Sequence, residues 1–404
     1  MSTRALLVGA GALLAVAVVA AQSPETQRPA VTFRVQVDYV EIDAIVTDRQ
    51  GRFVRDLTKD DFLLIEDGKP QPIAAFTVVD IPVEPRVETD IARLPRTPQQ
   101  VASNARPFDG RLFMLVLDDL QTDVLRSAAV RERARAFIDS YVGANDLVAV
   151  VQTGSIGHNQ DFTSDRARLL AAIEGFTGTK RQSAARVILE ARQFQAMVPP
   201  ENRTAATDTE EPYRANDAIR SLSTMKSVSS FLGGIRGRKK ALVYVGEGID
   251  YDIKADEVDL SGRTLSIKRD VRAVEEAIDE AIATATRNNV SIYCLDPRGL
   301  STGDDEAIAL PGIAMLVPDG KGGKHGTDML RDALIRSQGS MRTLAEATGG
   351  LAFINSNDFG ASLSRIVEDS SRHYILGYYA PEGRRDGRYR HVDVRVKRDG
   401  LEVR

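Results

Sequence analysis

The spacing of apolar residues changes several times along the chain, and each change marks a different kind of structure. Phe33, Val35, Val37 and Tyr39 alternate with Arg34, Gln36 and Asp38, the two-residue period of a strand with one buried face. The alternation then slips, because Val40, Ile42, Ala44 and Val46 carry it onward on even positions. A bulge near Tyr39, or burial of both faces, accounts for the slip. Residues 48–51 read as a turn and residues 62–66 as a strand. Asp67-Gly68 is the dipeptide that favours a tight hairpin, and residues 73–79 form the returning strand. Residues 31–80 are therefore expected to form a small all-β unit. Pro82, Pro85, Pro95, Pro98 and Pro107 punctuate the next stretch, which has no apolar period, so residues 81–107 read as an extended linker.

From Arg111 onward, short apolar runs alternate with segments of helical period. Residues 112–117 are wholly apolar, as a strand buried on both faces of a parallel sheet requires. A helix over 124–141 follows, then a strand over 147–151, helices over 166–176 and 216–232, and a strand over 241–245. Next come a helix over 271–287, a strand over 290–295, a helix over 328–347 and a strand over 351–354. In the helix ending before Asn288, Ala273/Val274, Ala277/Ile278 and Ala281/Ile282 form one apolar stripe. This series predicts an α/β fold over 108–371, a doubly wound and mainly parallel sheet with right-handed crossovers. Residues 199–212 and 297–324 break the rhythm and read as a surface insertion and a long loop. Alternating residues in 374–379 and 392–396, separated by a turn region, predict a C-terminal β-hairpin over 372–404.

The N-terminus adds a destination. Arg4 precedes an unbroken apolar stretch from Ala5 to Ala21, and the polar Gln22, Ser23 and Pro24 follow. That order is a signal peptide over 1–21, with cleavage after Ala20 or Ala21, and implies a secreted or periplasmic protein. The alternative is an uncleaved membrane anchor, for which about 17 apolar residues is the lower limit. No cysteine follows the stretch, which argues against lipid anchoring. The single cysteine, Cys294, lies in an apolar run and reads as a small buried hydrophobe. A formal net charge of -4, with 53 basic and 57 acidic residues, leaves no basic footprint for nucleic acid.

In open α/β sheets, ligands bind beyond the carboxyl ends of the strands. The sequence places carboxylates at three such ends: Asp118 and Asp119, then Glu247, then Asp296. Asp118, Thr122 and Glu247 together suggest a hard-oxygen site suited to Mg2+. Other readings stand beside this one: Asp118, Asp119 and Thr122 as helix N-caps, and Glu247 as a solvated loop residue. His158, His325, His373 and His391 lack zinc spacing. Gly320 to Gly326 fails the spacing of a phosphate loop, and no Gly-x-Ser-x-Gly elbow occurs.

Leu115 to Asp118, the loop Gly246-Glu247-Gly248 and the strand running into Asp296-Pro297 together resemble a von Willebrand factor A domain. Further strings make the likeness closest to the bacterial von Willebrand factor A-related acidobacterial group. They are Asp60-Asp61-Phe62, Glu66-Asp67-Gly68, Thr348-Gly349-Gly350, Tyr374 to Tyr378 and Asp386 to Arg390. The resemblance implies a site in which an Asp-x-Ser-x-Ser loop, a second-loop Thr and a third-loop Asp hold a divalent cation completed by a partner protein. Asp118 fits that pattern, but Leu120 and Thr122 stand at the two Ser positions and Glu247 replaces the third-loop Asp. No second-loop Thr is placed: Thr177 and Thr179 precede an insertion, and Tyr213 occupies the natural alignment. The implied site is thus a degenerate one at the rim of the sheet. The expected function is an exported protein-protein interaction or adhesion module that binds an unknown protein partner. The alternatives are a metal-free structural scaffold of the cell envelope and an enzyme that uses the doubly wound sheet.

Overall fold

The computed structural model describes residues 39–82, 110–202, 208–235, 238–250, 265–302, 326–380 and 390–404. The signal segment 1–21, residues 31–38 and most of the linker lie outside the described residues, as does most of the 297–324 loop.

Six strands form the central sheet: β6 (Leu112–Leu117), β7 (Leu147–Gln152), β8 (Gln160–Thr163), β9 (Lys240–Val245), β10 (Val290–Leu295) and β11 (Ala352–Phe353). Their spatial order is β8-β7-β6-β9-β10-β11. The pairings between β7, β6, β9, β10 and β11 are all parallel, and β8 is an antiparallel edge. The chain moves outward from β6 to β8, returns to the other side of β6 at β9, and moves outward again. The order therefore reverses between β6 and β9, the point at which such sheets open a crevice.

The apolar run of β6 is explained by helices on both faces. Leu112, Met114 and Val116 join one core with α4 (Glu211–Gly233), α5 (Leu265–Arg287) and α6 (Gly326–Ala347). Phe113, Leu115 and Leu117 join the other with α1 (Ser127–Tyr141), α2 (Arg166–Glu174) and α7 (Phe359–Ser371). All six side chains are buried, which removes the alternation normally used to recognise a strand. A further helix, α3 (Ala184–Ala196), packs Ala185 and Leu189 against Leu330 and Ala333 of α6. Helices α3 and α7 and strand β8 were not anticipated from spacing.

The N-terminal strands are β1 (Tyr39–Ala44), β2 (Val46–Thr47), β3 (Phe62–Glu66), β4 (Lys69–Gln71) and β5 (Ala75–Asp80). Asp67 and Gly68 both take positive φ, 47° and 78°, as the tight turn between β3 and β4 demands. From Val40 onward the even-numbered side chains face the core, as their phase predicts, and the strand breaks at Ile45.

The hairpin expected over 372–404 is corrected. Strand β12 (Arg372–Tyr379) lies between β1 and β5, antiparallel to both. Strand β13 (Val392–Val396) pairs with β3, and β14 (Glu402–Val403) pairs with β2. Strands from residues 39–80 and from residues 372–403 thus build one β unit. The physical reason is burial: Tyr374, Leu376 and Tyr378 need an apolar partner surface that an isolated two-stranded hairpin lacks. Phe53, Phe62 and Phe76 supply it, with ring centroids 5.1 to 5.6 Å from Tyr374.

Candidate functional site

Parallel pairing of β6 with β9 sets Leu117 beside Val245, so the loops that follow them meet at one rim. The Asp118 amide donates to the Val245 carbonyl at 2.9 Å, and the Glu247 amide donates to the Gln121 carbonyl at 3.1 Å. Asp118 and Glu247 therefore share a rim, as the sequence reading requires. The loop after β9 depends on its glycines. Gly248 has φ of +76°, and a Cβ there would lie 2.2 Å from the Ser337 carbonyl oxygen; a Cβ on Gly246 would lie 2.9 Å from that of Asp118.

The carboxylates at all three strand ends are satisfied from within the chain. Asp118 is fully buried. Its Oδ1 accepts from Thr153 Oγ1 at 2.5 Å, Ser221 Oγ at 2.9 Å and the Gln121 amide at 3.1 Å, and its Oδ2 accepts from Tyr244 Oη at 2.7 Å. Burial pushes the Asp118 carboxyl up from the ordinary range, although all four hydrogen bonds oppose the shift. Thr153 also lies 2.9 Å from Asp119 Oδ1, and its single hydroxyl proton serves one carboxylate at a time.

Glu247 is buried, not solvated. Its Oε2 accepts from Lys180 Nζ at 2.9 Å and its Oε1 from the Asp123 amide at 2.9 Å. Burial alone would raise its carboxyl, but Lys180, Arg298 and these two hydrogen bonds hold it below the ordinary range. Asp296 receives Arg298 through both oxygens at 2.8 Å. The same guanidinium donates to the Glu247 carbonyl at 2.7 Å and to Ser337 Oγ at 3.0 Å.

Neither Asp119 nor Thr122 caps a helix. Asp119 accepts from the Gly154 amide at 2.6 Å, and Asp123 instead caps the short turn before α1 by accepting from the Leu125 amide. Thr122 Oγ1 is buried without a partner. Thr179 donates to the Asp119 carbonyl, while Tyr213 is exposed and stacks on the Arg181 guanidinium, so neither faces a shared ion.

These residues do not fit a divalent cation. The oxygens of Asp118 are occupied by hydroxyl and amide donors, and Glu247 is occupied by an ammonium. Among the described residues, no group of three or more His, Cys, Asp or Glu is arranged to hold a metal. Sequence reading missed Lys180, Thr153, Ser221 and Tyr244. Their contacts span 35 to 126 positions, and no local spacing announces them.

A cavity of about 190 Å³ opens beside the Lys180–Glu247 pair. Asp123, Asp250, Arg126, Arg186 and Arg298 also line it, with Leu125, Leu330, Ala333 and Leu334 as an apolar wall. Leu125, which lines it, is 84% exposed, so apolar surface stands in solvent at the opening.

No family model and no curated protein matches the chain. Among solved structures, it is similar to the vWF domain of the type V pili tip protein Mfa5 from Porphyromonas gingivalis. That match has 12% identity and a TM-score of 0.27, and covers 64% of this chain and 94% of the other. A structure of three N-terminal domains of the same pilus tip protein matches at 10% identity and a TM-score of 0.26, over 80% of this chain and 54% of the other. The chain spans about half of that second structure. The doubly wound fold itself stands on the strand order and the two helix layers.

Proposed function

We propose that this is an exported, von Willebrand factor A-like protein-interaction module of the acidobacterial-related group, whose contact face is the β6/β9 rim. The observation that carries the proposal is the cavity at the strand-order reversal, lined by the exposed Leu125. The Lys180–Glu247 pair stands where the resemblance implies a cation, so contact is made without metal. The rim carboxylates are committed to neighbouring side chains, and Cys294 is buried with its thiol pushed up. Both features support a binding surface over a catalytic one. Export is supported by the Arg4 to Pro24 pattern.

The test is capture of envelope proteins by the immobilised chain, with and without a chelator, compared with Leu125→Glu. Capture that survives chelation and is lost in the variant supports the rim. Capture unchanged by Leu125→Glu overturns it.

A further inference from the structure

We propose that the rim cavity receives a basic side chain, lysine or arginine, from the partner protein. This rests on the rim being the contact face and adds the chemistry of what enters it.

Of the four basic side chains that line the cavity, Arg126, Lys180, Arg186 and Arg298, three are paired with carboxylates. Lys180 is held by Glu247, Arg298 by Asp296, and Arg186 by Glu190 at 2.9 Å. The unsatisfied group is an acceptor. The Asp250 side chain is 6% exposed, its Oδ1 meets Arg336 Nε at 3.3 Å, and its Oδ2 is buried with no donor. A buried carboxylate oxygen without a donor is costly, and a charged donor relieves that cost most fully. Asp250 lines the cavity together with the apolar wall of Leu125, Leu330, Ala333 and Leu334. An aliphatic stem that ends in a cation matches this pairing: the stem covers the leucines and the head reaches Asp250. A glutamate in the same place would set another carboxylate beside Asp250 and leave the Asp250 Oδ2 without a donor.

The probes are the Nα-acetyl amides of arginine, lysine, glutamine and glutamate, titrated into the full chain by calorimetry. The basic amides are expected to bind about tenfold or more tightly than the glutamine amide, and Asp250→Asn to remove that preference. Ala333→Lys, which sets an ammonium of the chain's own in the cavity, should block the basic amides as well. Equal binding of all four amides, stronger binding of the glutamate amide, no binding of any, or an undiminished preference in Asp250→Asn would each overturn the proposal. Partner capture separates this from the broader reading. Capture lost in Leu125→Glu but kept in Asp250→Asn overturns the basic side chain and leaves the rim standing. Capture kept in both overturns the two together.

Discussion

The Lys180 ammonium lies 2.9 Å from Glu247 Oε2, with the two side chains 11% and 5% exposed. One partner comes from the loop after α2 and the other from the loop after β9, so the pair ties two sides of the rim together. At this depth the attraction is weakly screened, and the cost of leaving either charge alone is large.

Lys180→Met should therefore destabilise the protein by about 3–5 kcal/mol in urea unfolding at neutral pH, because Glu247 stays buried without its cation. Lys180→Met/Glu247→Gln should recover most of that loss. A single variant that unfolds like the wild type would show that the pair contributes little.

The two rim carboxylates should leave opposite signatures on stability against pH. The Glu247 carboxyl is held below its unfolded value, so its contribution is present above that value and is lost as pH falls through the folded one. The Asp118 carboxyl is raised, so its contribution is present below the unfolded value and is lost as pH rises through the folded one. Stability measured between pH 3 and pH 6 should fall less steeply on acidification in Glu247→Gln than in the wild type. An unchanged slope would contradict the assignment.

His373, on β12, is buried, and neither ring nitrogen has a hydrogen-bond partner. Burial first, and then the charge of Lys239, lowers its pKa from 6.5 to about 3. A base depressed in this way contributes stability above pH 6.5 that is lost as pH falls toward about 3. His373→Phe should remove that part of the acid sensitivity without loss of stability at neutral pH. A variant that loses stability at pH 7 would show that the imidazole makes a needed polar contact.

Removing residues 372–404 should expose the whole β unit, since β12 is the central strand between β1 and β5. Hydrogen exchange across β1, β3 and β5 should approach that of an unfolded chain. Protection retained in those strands would contradict the shared core.

The α/β half was legible because its signals are local. Residues 112–117, 147–151 and 290–295 are apolar runs short enough to be strands, and α5 carries a stripe of helical period. The joining of β1 to β12 was not legible, because the partners Tyr39 and Tyr379 are brought together only by the fold. The rim was legible to the same extent: Asp118 and Glu247 were located by the ends of their strands. Lys180 lies in Thr177-Gly178-Thr179-Lys180, where the hydroxyls of the threonines match the resemblance and the ammonium does not.

An ammonium, that of Lys180, faces Glu247 at the rim. The most direct measurement is a crystal structure grown in manganese, with anomalous data collected at the metal edge. The expected result is Lys180 within hydrogen-bond distance of Glu247 and no anomalous peak between Asp118, Thr122 and Glu247. A peak there, with Lys180 swung away, would contradict the account.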